Sequence, residues 1–197
     1  MKTEIEVKFL NVDHDEIRQK LKAAGGRLAA PMRDMRRALF ETPDMKARNG
    51  FYRLRDEGNK ITLTYKQFDS NSLTGAKEIE IEVSDFQATI DLLAQNDLYP
   101  LTYQESRREA WECNGCEVVL DEWPWIPTYI EIEGESEQLV RDTATLLGYD
   151  WADAVFGSVD VIYEREYPDM SVRGVIDIKE GRFGDPVPEV FLGKNND

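Results

Sequence analysis

The chain has 197 residues and a net charge of −15, with 41% hydrophobic and 32% charged residues. That size suits one domain with at most a small appendage. The acidic balance excludes broad binding to nucleic-acid duplexes or anionic membranes, which needs a basic surface.

No apolar stretch approaches the ~20 residues of a membrane-spanning helix, and Met1 leads directly into a charged run. Neither an anchor nor a signal peptide is expected, so the chain reads as soluble and cytoplasmic. An anionic small molecule stays compatible with this exterior, because a local pocket of Lys and Arg can sit inside it.

Thr3 to Leu10 alternates with period two, placing Glu4, Glu6 and Lys8 on one face and Ile5, Val7 and Phe9 on the other. That is a strand. Asp13 and Glu16 form a capping-box start, and the helix that follows carries Ile17 and Leu21 and stops at Gly25-Gly26. The one histidine, His14, falls in its first turn and reads as an exposed residue, not a ligand. A second strand is expected over about Met35 to Thr42, ended by Pro43, with a loop or single turn to Asn49.

Phe51 to Arg55 and Lys60 to Lys66 read as a hairpin around Glu57-Gly58-Asn59, with Ile61, Leu63 and Tyr65 on the apolar face of the returning strand. A loop spans Phe68 to Ala76. Lys77 to Val83 is a further strand with Glu78, Glu80 and Glu82 sharing a face, and Ser84 with Gln87 opens a helix carrying Phe86, Ile90, Leu92 and Leu93.

Tyr103 to Glu112 and Glu117 to Glu122 flank Cys113-Asn114-Gly115-Cys116. Asn-Gly tolerates positive φ and marks a two-residue hairpin turn. With no second cysteine pair, the pair reads as reduced thiols in a turn rather than a zinc or redox site. Trp123-Pro124-Trp125-Ile126-Pro127 leads into the strand Tyr129 to Glu133. This rigid segment either shapes a cavity mouth or packs as a hydrophobic corner, with packing favoured.

Ser136 starts a helix with Leu139, Val140, Leu146 and Leu147, stopped by Gly148, and another helix is expected between Gly157 and Tyr167. From Pro168 the periodicity weakens. Residues 1–167 are therefore expected to form one domain, with 168–197 a tail ordered only by docking or dimerisation, or flexible. About eight strands in hairpins with interposed helices make an α+β fold with an antiparallel sheet. Nothing suggests a dinucleotide-binding turn.

The charges organise by strand. Glu4-x-Glu6-x-Lys8, Arg53-x-Arg55, Glu78-x-Glu80-x-Glu82 and Glu131-x-Glu133-x-Glu135 each put like groups on one face, since alternate residues share a face. One geometry reconciles this with a cohesive domain: charged faces inside a barrel and helices over the apolar outside. Grouped carboxylates then need cations or opposing bases, which Lys8, Arg53, Arg55, Lys66, Arg107 and Arg108 supply. Such a cavity suits a polyphosphate with its metal, Arg and Lys holding phosphate oxygens and carboxylates holding Mg²⁺ or Mn²⁺.

Glu4-Ile5-Glu6-Val7-Lys8 resembles the ExExK signature of the CYTH, or triphosphate tunnel, family of class IV adenylyl cyclases, thiamine triphosphatases and inorganic triphosphatases. Further stations follow in order: Leu39-Phe40-Glu41-Thr42-Pro43, Gly50-Phe51-Tyr52-Arg53-Leu54-Arg55, Ile61 to Lys66, the strand ending at Glu82, Arg107-Arg108, Leu120-Asp121-Glu122 and Tyr129 to Glu133. Glu41 stands where the family frequently has Asp.

The resemblance implies an eight-stranded antiparallel β-barrel with helices outside, Mg²⁺ or Mn²⁺ as cofactor, and tripolyphosphate, ATP or thiamine triphosphate as partner. It implies metal ligation by Glu4, Glu6, Glu131 and Glu133, with Asp121 supporting metal or a basic neighbour. Phosphate would be held by Lys8, Arg53, Arg55, Lys66 and one or both of Arg107 and Arg108, with Glu80 and Glu82 on the acidic wall. The chemistry falls chiefly on Glu4, Glu6, Lys8, Arg53, Arg55 and Lys66. Family members are often dimers, which leaves a homodimer open.

Hydrolysis of inorganic or organic triphosphate is the leading expectation, because it demands least of the site. The alternatives are cyclisation of ATP to cyclic AMP and pyrophosphate, a non-catalytic polyphosphate- or nucleotide-binding module, and an interaction β-sandwich with a solvated charged face.

Overall fold

A computed structural model of the chain describes residues 2–69 and 76–193. The alternating N-terminal run forms two strands, β1 (Lys2–Thr3) and β2 (Glu6–Leu10), broken at Glu4-Ile5. Helix α1 (His14–Ala23) begins where Asp13 Oδ1 accepts the amides of Asp15 and Glu16 at 2.8 and 3.0 Å. There follow β3 (Arg27–Phe40), the one-turn helix α2 (Pro43–Lys46), β4 (Gly50–Asp56), β5 (Ile61–Phe68), β6 (Ala76–Val83) and α3 (Phe86–Ala94). The second half comprises β7 (Thr102–Cys113), β8 (Cys116–Glu122), β9 (Tyr129–Glu133), α4 (Glu137–Leu146), α5 (Asp160–Glu166) and β10 (Glu180–Gly181). The greater part of the expected Phe68–Ala76 loop, residues 70–75, lies outside the described residues, as do the last four residues of the tail.

The sheet order is β1-β6-β5-β4-β3-β7-β8-β9-β2, with β10 added in parallel to β7. All other pairings are antiparallel. β1 and β2 thus lie at opposite ends of the sheet order yet are joined by two residues. Glu4 N donates to Ala76 O at the β6 side, and Gly134 N donates to Ile5 O at the β9 side, both at 3.1 Å. The N-terminal segment therefore draws both ends of the sheet together, although no ladder joins β1 to β2. This produces the barrel-like α+β architecture that the strand pattern implies.

Helices cover the outside. α1 and α4 bury Ile17, Leu21, Val140 and Ala144 against Val7, Phe9, Val118, Leu120, Ile130 and Ile132 of β2, β8 and β9. α3 brings Phe86 and Ile90 onto Ala38, Phe40 and Leu54. These are the apolar faces of strands whose other faces carry the charges.

Three local expectations are corrected. β3 starts at Arg27, not near Met35, because register shifts against β7 at Leu28/Ala30 and Ala30/Arg33 break the period-two signal, and Pro31 falls among them. Asp85, not Ser84, caps α3, its Oδ1 accepting from Ala88 N at 2.6 Å. His14 is not exposed: its side chain is 9% accessible, with Nδ1 3.5 Å from Glu122 Oε1. The Asn114-Gly115 turn has φ of 52° and 76°, and Cys113 and Cys116 are free, buried and paired across it. Burial pushes both thiols up, which keeps them unreactive.

The segment after Pro168 packs onto one end of the barrel. Phe191 is buried against Trp125, Tyr163 and Tyr167, at ring centroid distances of 5.8, 5.5 and 5.2 Å. Arg173 forks onto Glu41 at 3.2 Å, and Gln104 Nε2 donates to Val175 O at 3.0 Å. Phe191→Ala is expected to destabilise the fold by about 3–5 kcal/mol, read as a shifted urea midpoint. An unchanged midpoint would show that the tail contributes nothing to the folded domain.

Candidate active site

The inner faces of the strands enclose a cavity of about 310 Å³. Its acidic wall comes from the joined ends of the sheet: Glu4 between β1 and β2, Glu6 on β2, and Glu131 and Glu133 on β9. Registers Glu6↔Glu133 and Lys8↔Glu131 put these groups side by side. Its basic wall comes from Arg53 and Arg55 on β4, Lys66 on β5 and Arg108 on β7.

The carboxylates are held by two lysines. Lys8 Nζ lies 3.0 Å from Glu6 Oε1 and 2.9 Å from Glu131 Oε2, and Lys66 Nζ lies 2.6 Å from Glu4 Oε2. Burial works against the Lys8 charge, but Glu131 and Glu6 outweigh it and hold the ammonium well above its ordinary value. Burial would likewise raise Glu131, yet Lys8, Arg108 and Lys66 bring it far below the usual carboxylate range. For Glu78 the opposing pull of Lys66 and Arg53 is outweighed. Burial and the neighbouring Glu4 push it up to about 7, while Lys66 keeps Glu4 low.

The arginines are compensated unequally. Arg108 forks onto Asp121 at 2.7 and 2.6 Å, which with Glu131 keeps its charge secure despite burial. Arg53 reaches Thr64 Oγ1 at 3.3 Å and Glu80 at 3.6 Å, but its buried Nε has no hydrogen-bond partner. Among the described residues, Arg55 has only Glu57, at 3.9 Å. Burial, then Arg53, Arg108 and Arg37, pushes its guanidinium well below the ordinary value. Arg37 is pushed down to about 10 by burial and by Arg53, with Asp160 opposing. Five arginines, these four and Arg33, thus line one cavity, and Arg37 and Arg55 are the least compensated of them.

Ten of the side chains singled out from the sequence line this cavity: the eight wall residues with Lys8 and Glu80. Three do not. Arg107 points to the other face of β7, towards Asp34 at 2.8 Å and Glu122 at 3.4 Å, so Arg108 is the inward member of the pair. Asp121 is fully buried behind the lining as the partner of Arg108. Glu82 is exposed, beyond Glu80 on β6.

Sequence reasoning missed Glu78, Arg33, Arg37, Glu57 and Asp160, all in the lining. Glu78 shared its face with Glu80 and was legible. Arg33 was hidden by the irregular register that precedes it on β3, and Arg37 by its neighbour Arg36, since alternation does not say which of the two turns inward. Asp160 precedes no recognisable strand and is brought in by α5. The Trp-Pro-Trp segment does both things expected of it: Trp123 packs in the core with Tyr129 and Tyr163, and it also lines the cavity under Arg37, whose Cζ is 4.2 Å from the ring centroid.

The acidic wall suits a hard divalent cation in donor type, since every candidate ligand is a carboxylate oxygen. Glu4 Oε2 is buried and accepts no hydrogen bond of adequate geometry, although Lys66 Nζ sits beside it. Among the described residues, no three carboxylates already converge as a ligand set. Lys8 and Lys66 occupy the positions at which a cation would compete.

The CYTH domain family model matches residues 2–151. Among solved structures, a protein of Pyrococcus horikoshii OT3 superposes with a TM-score of 0.66 at 24% identity, covering 77% of this chain and 93% of that one. A Vibrio parahaemolyticus protein proposed to be an adenylate cyclase gives 0.70 at 12% identity, covering 82% and 97%. A Hippeastrum protein, described as revealing a dominant triphosphatase activity, gives 0.54 at 16% identity, covering 79% and 91%. At these identities the likeness is one of fold. No curated protein matches the chain.

The raised Glu78 carboxyl makes stability depend on pH. Its folded pKa of about 7 exceeds the ordinary 4.5, so its contribution is full below pH 4.5 and is lost as pH rises through 7. Glu78→Gln, permanently neutral, should gain in urea midpoint over the wild type between pH 6 and 8. A difference between the two proteins that stays constant with pH would contradict this.

Proposed function

The chain belongs to the CYTH family, and we propose that it is a divalent-metal-dependent enzyme that hydrolyses inorganic or organic triphosphates inside the barrel. The observation that carries this reading is Arg55, buried beside Arg53, Arg108 and Arg37 with a single carboxylate at 3.9 Å. Such a cluster is costly in an empty domain and is relieved by a polyanion. A flexible triphosphate with several charges matches it better than a single phosphate does.

Glu4, Glu6, Glu131 and Glu133 are the residues that would hold Mg²⁺ or Mn²⁺. A bound cation supplies neutralisation of the phosphate charge and Lewis acidity toward its oxygens. The chain's own groups do the rest. Arg53, Arg55 and Arg37 present guanidinium N–H groups along one wall, fixing the triphosphate and stabilising charge that develops on its oxygens. Lys8, held firmly protonated, acts as a fixed positive charge rather than a proton source. Asp121 orients Arg108, both oxygens engaged, so that its fork stays aimed inward. The narrow, charged interior limits the water that reaches the reacting phosphorus.

The Vibrio relative, proposed to be a cyclase, keeps ATP cyclisation as a second reading, because the same wall residues would serve both reactions. The test is to incubate the protein with Mg²⁺ or Mn²⁺ and, separately, inorganic tripolyphosphate, ATP and thiamine triphosphate, following products by phosphorus NMR. Orthophosphate is the expected product. Pyrophosphate with cyclic AMP from ATP would replace this reading by the cyclase, and tight binding without turnover would replace it by a binding module. Glu4→Gln or Arg53→Ala should lower kcat/KM about 10²–10³-fold; full activity in either variant would remove that residue from the site.

A further inference from the structure

One end of the cavity is not built from the matched residues 2–151. Ser158 and Val159 just before α5, Asp160 at its start and Ile176 in the turn Gly174–Asp177 line that end beside Trp123 and Arg37. Arg37 belongs to the same wall as the other arginines: across the β3–β4 ladder it stands directly opposite Arg55, and across β3–β7 opposite Gln104. It lies over Trp123, and its Nε donates to Gln104 Oε1 at 2.6 Å. Gln104 in turn donates to Val175 O at 3.0 Å, so the guanidinium is fixed through Gln104 to the C-terminal segment.

Asp160 is fixed with equal care. Oδ1 accepts from Val175 N at 3.1 Å and Oδ2 from Ser158 Oγ at 3.0 Å. Gly174 permits this approach. It has φ +76°, and a Cβ there would lie 2.5 Å from Asp160 Oδ1. Burial pushes the carboxyl up while Arg37 and these hydrogen bonds pull it down. Around it, Val159 and Ile176 offer only apolar surface. The end of the basic wall is thus a guanidinium facing a rigid carboxylate and a dry patch.

We propose that Arg37 and Asp160 form a chain-length stop, Arg37 seating the terminal phosphate of a linear triphosphate and Asp160 excluding a fourth phosphate beyond it. The proposal rests on the triphosphate reading and narrows its substrate class to short linear chains. A phosphate past Arg37 meets a like charge in an environment of low dielectric. Rejection arises from that repulsion rather than from lack of space alone. The bland role for Asp160 is to pin the Gly174 turn, and that role needs only its hydrogen bonds, not its charge.

Charge and structure separate in Asp160→Asn, which keeps an oxygen able to accept from Val175 N. Calorimetric titration with Ca²⁺ replacing Mg²⁺, so that a hard cation is present without the activating metal, would give Kd for linear inorganic triphosphate and linear inorganic tetraphosphate, phosphorus NMR confirming that neither is consumed and urea unfolding that the variant is native-like. The wild type is expected to bind tetraphosphate at least about tenfold more weakly than triphosphate, and the variant to reduce that ratio at least about fivefold.

Equal affinity of the wild type for both chains overturns the proposal without recourse to any variant. A native-like variant with an unchanged ratio overturns it equally. Absence of binding to either chain refutes the triphosphate reading itself, a result distinct from loss of discrimination alone.

Discussion

The structure depends on enclosing charge of both signs within one barrel. Lysines and carboxylates neutralise each other along β2, β5 and β9, where Lys8 and Lys66 are each within 3.0 Å of a glutamate oxygen. Along β3 and β4 the balance fails. Arg37 and Arg55 face each other across a ladder, and their charges are opposed by burial and by one another. A domain of this size has only modest net stability, so an unbalanced buried charge is a cost the apolar exterior must offset. The helices that press Phe9, Ile130, Ile132 and Leu54 against the outer sheet supply that compensation. The poorly compensated guanidiniums of β3 and β4 are what remain available to a polyanion.

Much of this was legible because period-two alternation carries both halves of the argument. Glu4, Glu6 and Lys8 could be placed together, and opposite Val7 and Phe9, from spacing alone. Arg53 with Arg55, and Glu131 with Glu133, follow the same rule. Where two charged residues are adjacent, alternation states that they diverge but not which turns inward. For Arg107 and Arg108 that is settled by Asp121 of β8, which stands opposite Arg108 on β7 and holds its guanidinium.

What escaped the sequence escaped for identifiable reasons. Arg33 follows a stretch of β3 whose register is irregular, so alternation is scrambled just before it, and Arg37 stands beside Arg36, a pair whose inward member alternation leaves open. Asp160 begins a helix that the sequence does indicate, but its entry into the cavity depends on where that helix docks, a tertiary event with no local signal. His14 looked exposed from its place in a helical turn, yet the helix lays it against Glu122 of a distant strand. In each case the missing information was which surfaces meet, not which element forms. The outcome matters for the site, since Arg37 and Asp160 both line the cavity.

The central claim is that the arginine wall is strained by its own charge and awaits a polyanion. It is tested most directly by denaturant unfolding of wild type and Arg55→Met, each with and without inorganic triphosphate. The account predicts that the variant is more stable than the wild type when triphosphate is absent, and that triphosphate stabilises it less. A variant that is less stable without triphosphate, yet gains as much from it as the wild type does, would contradict the account.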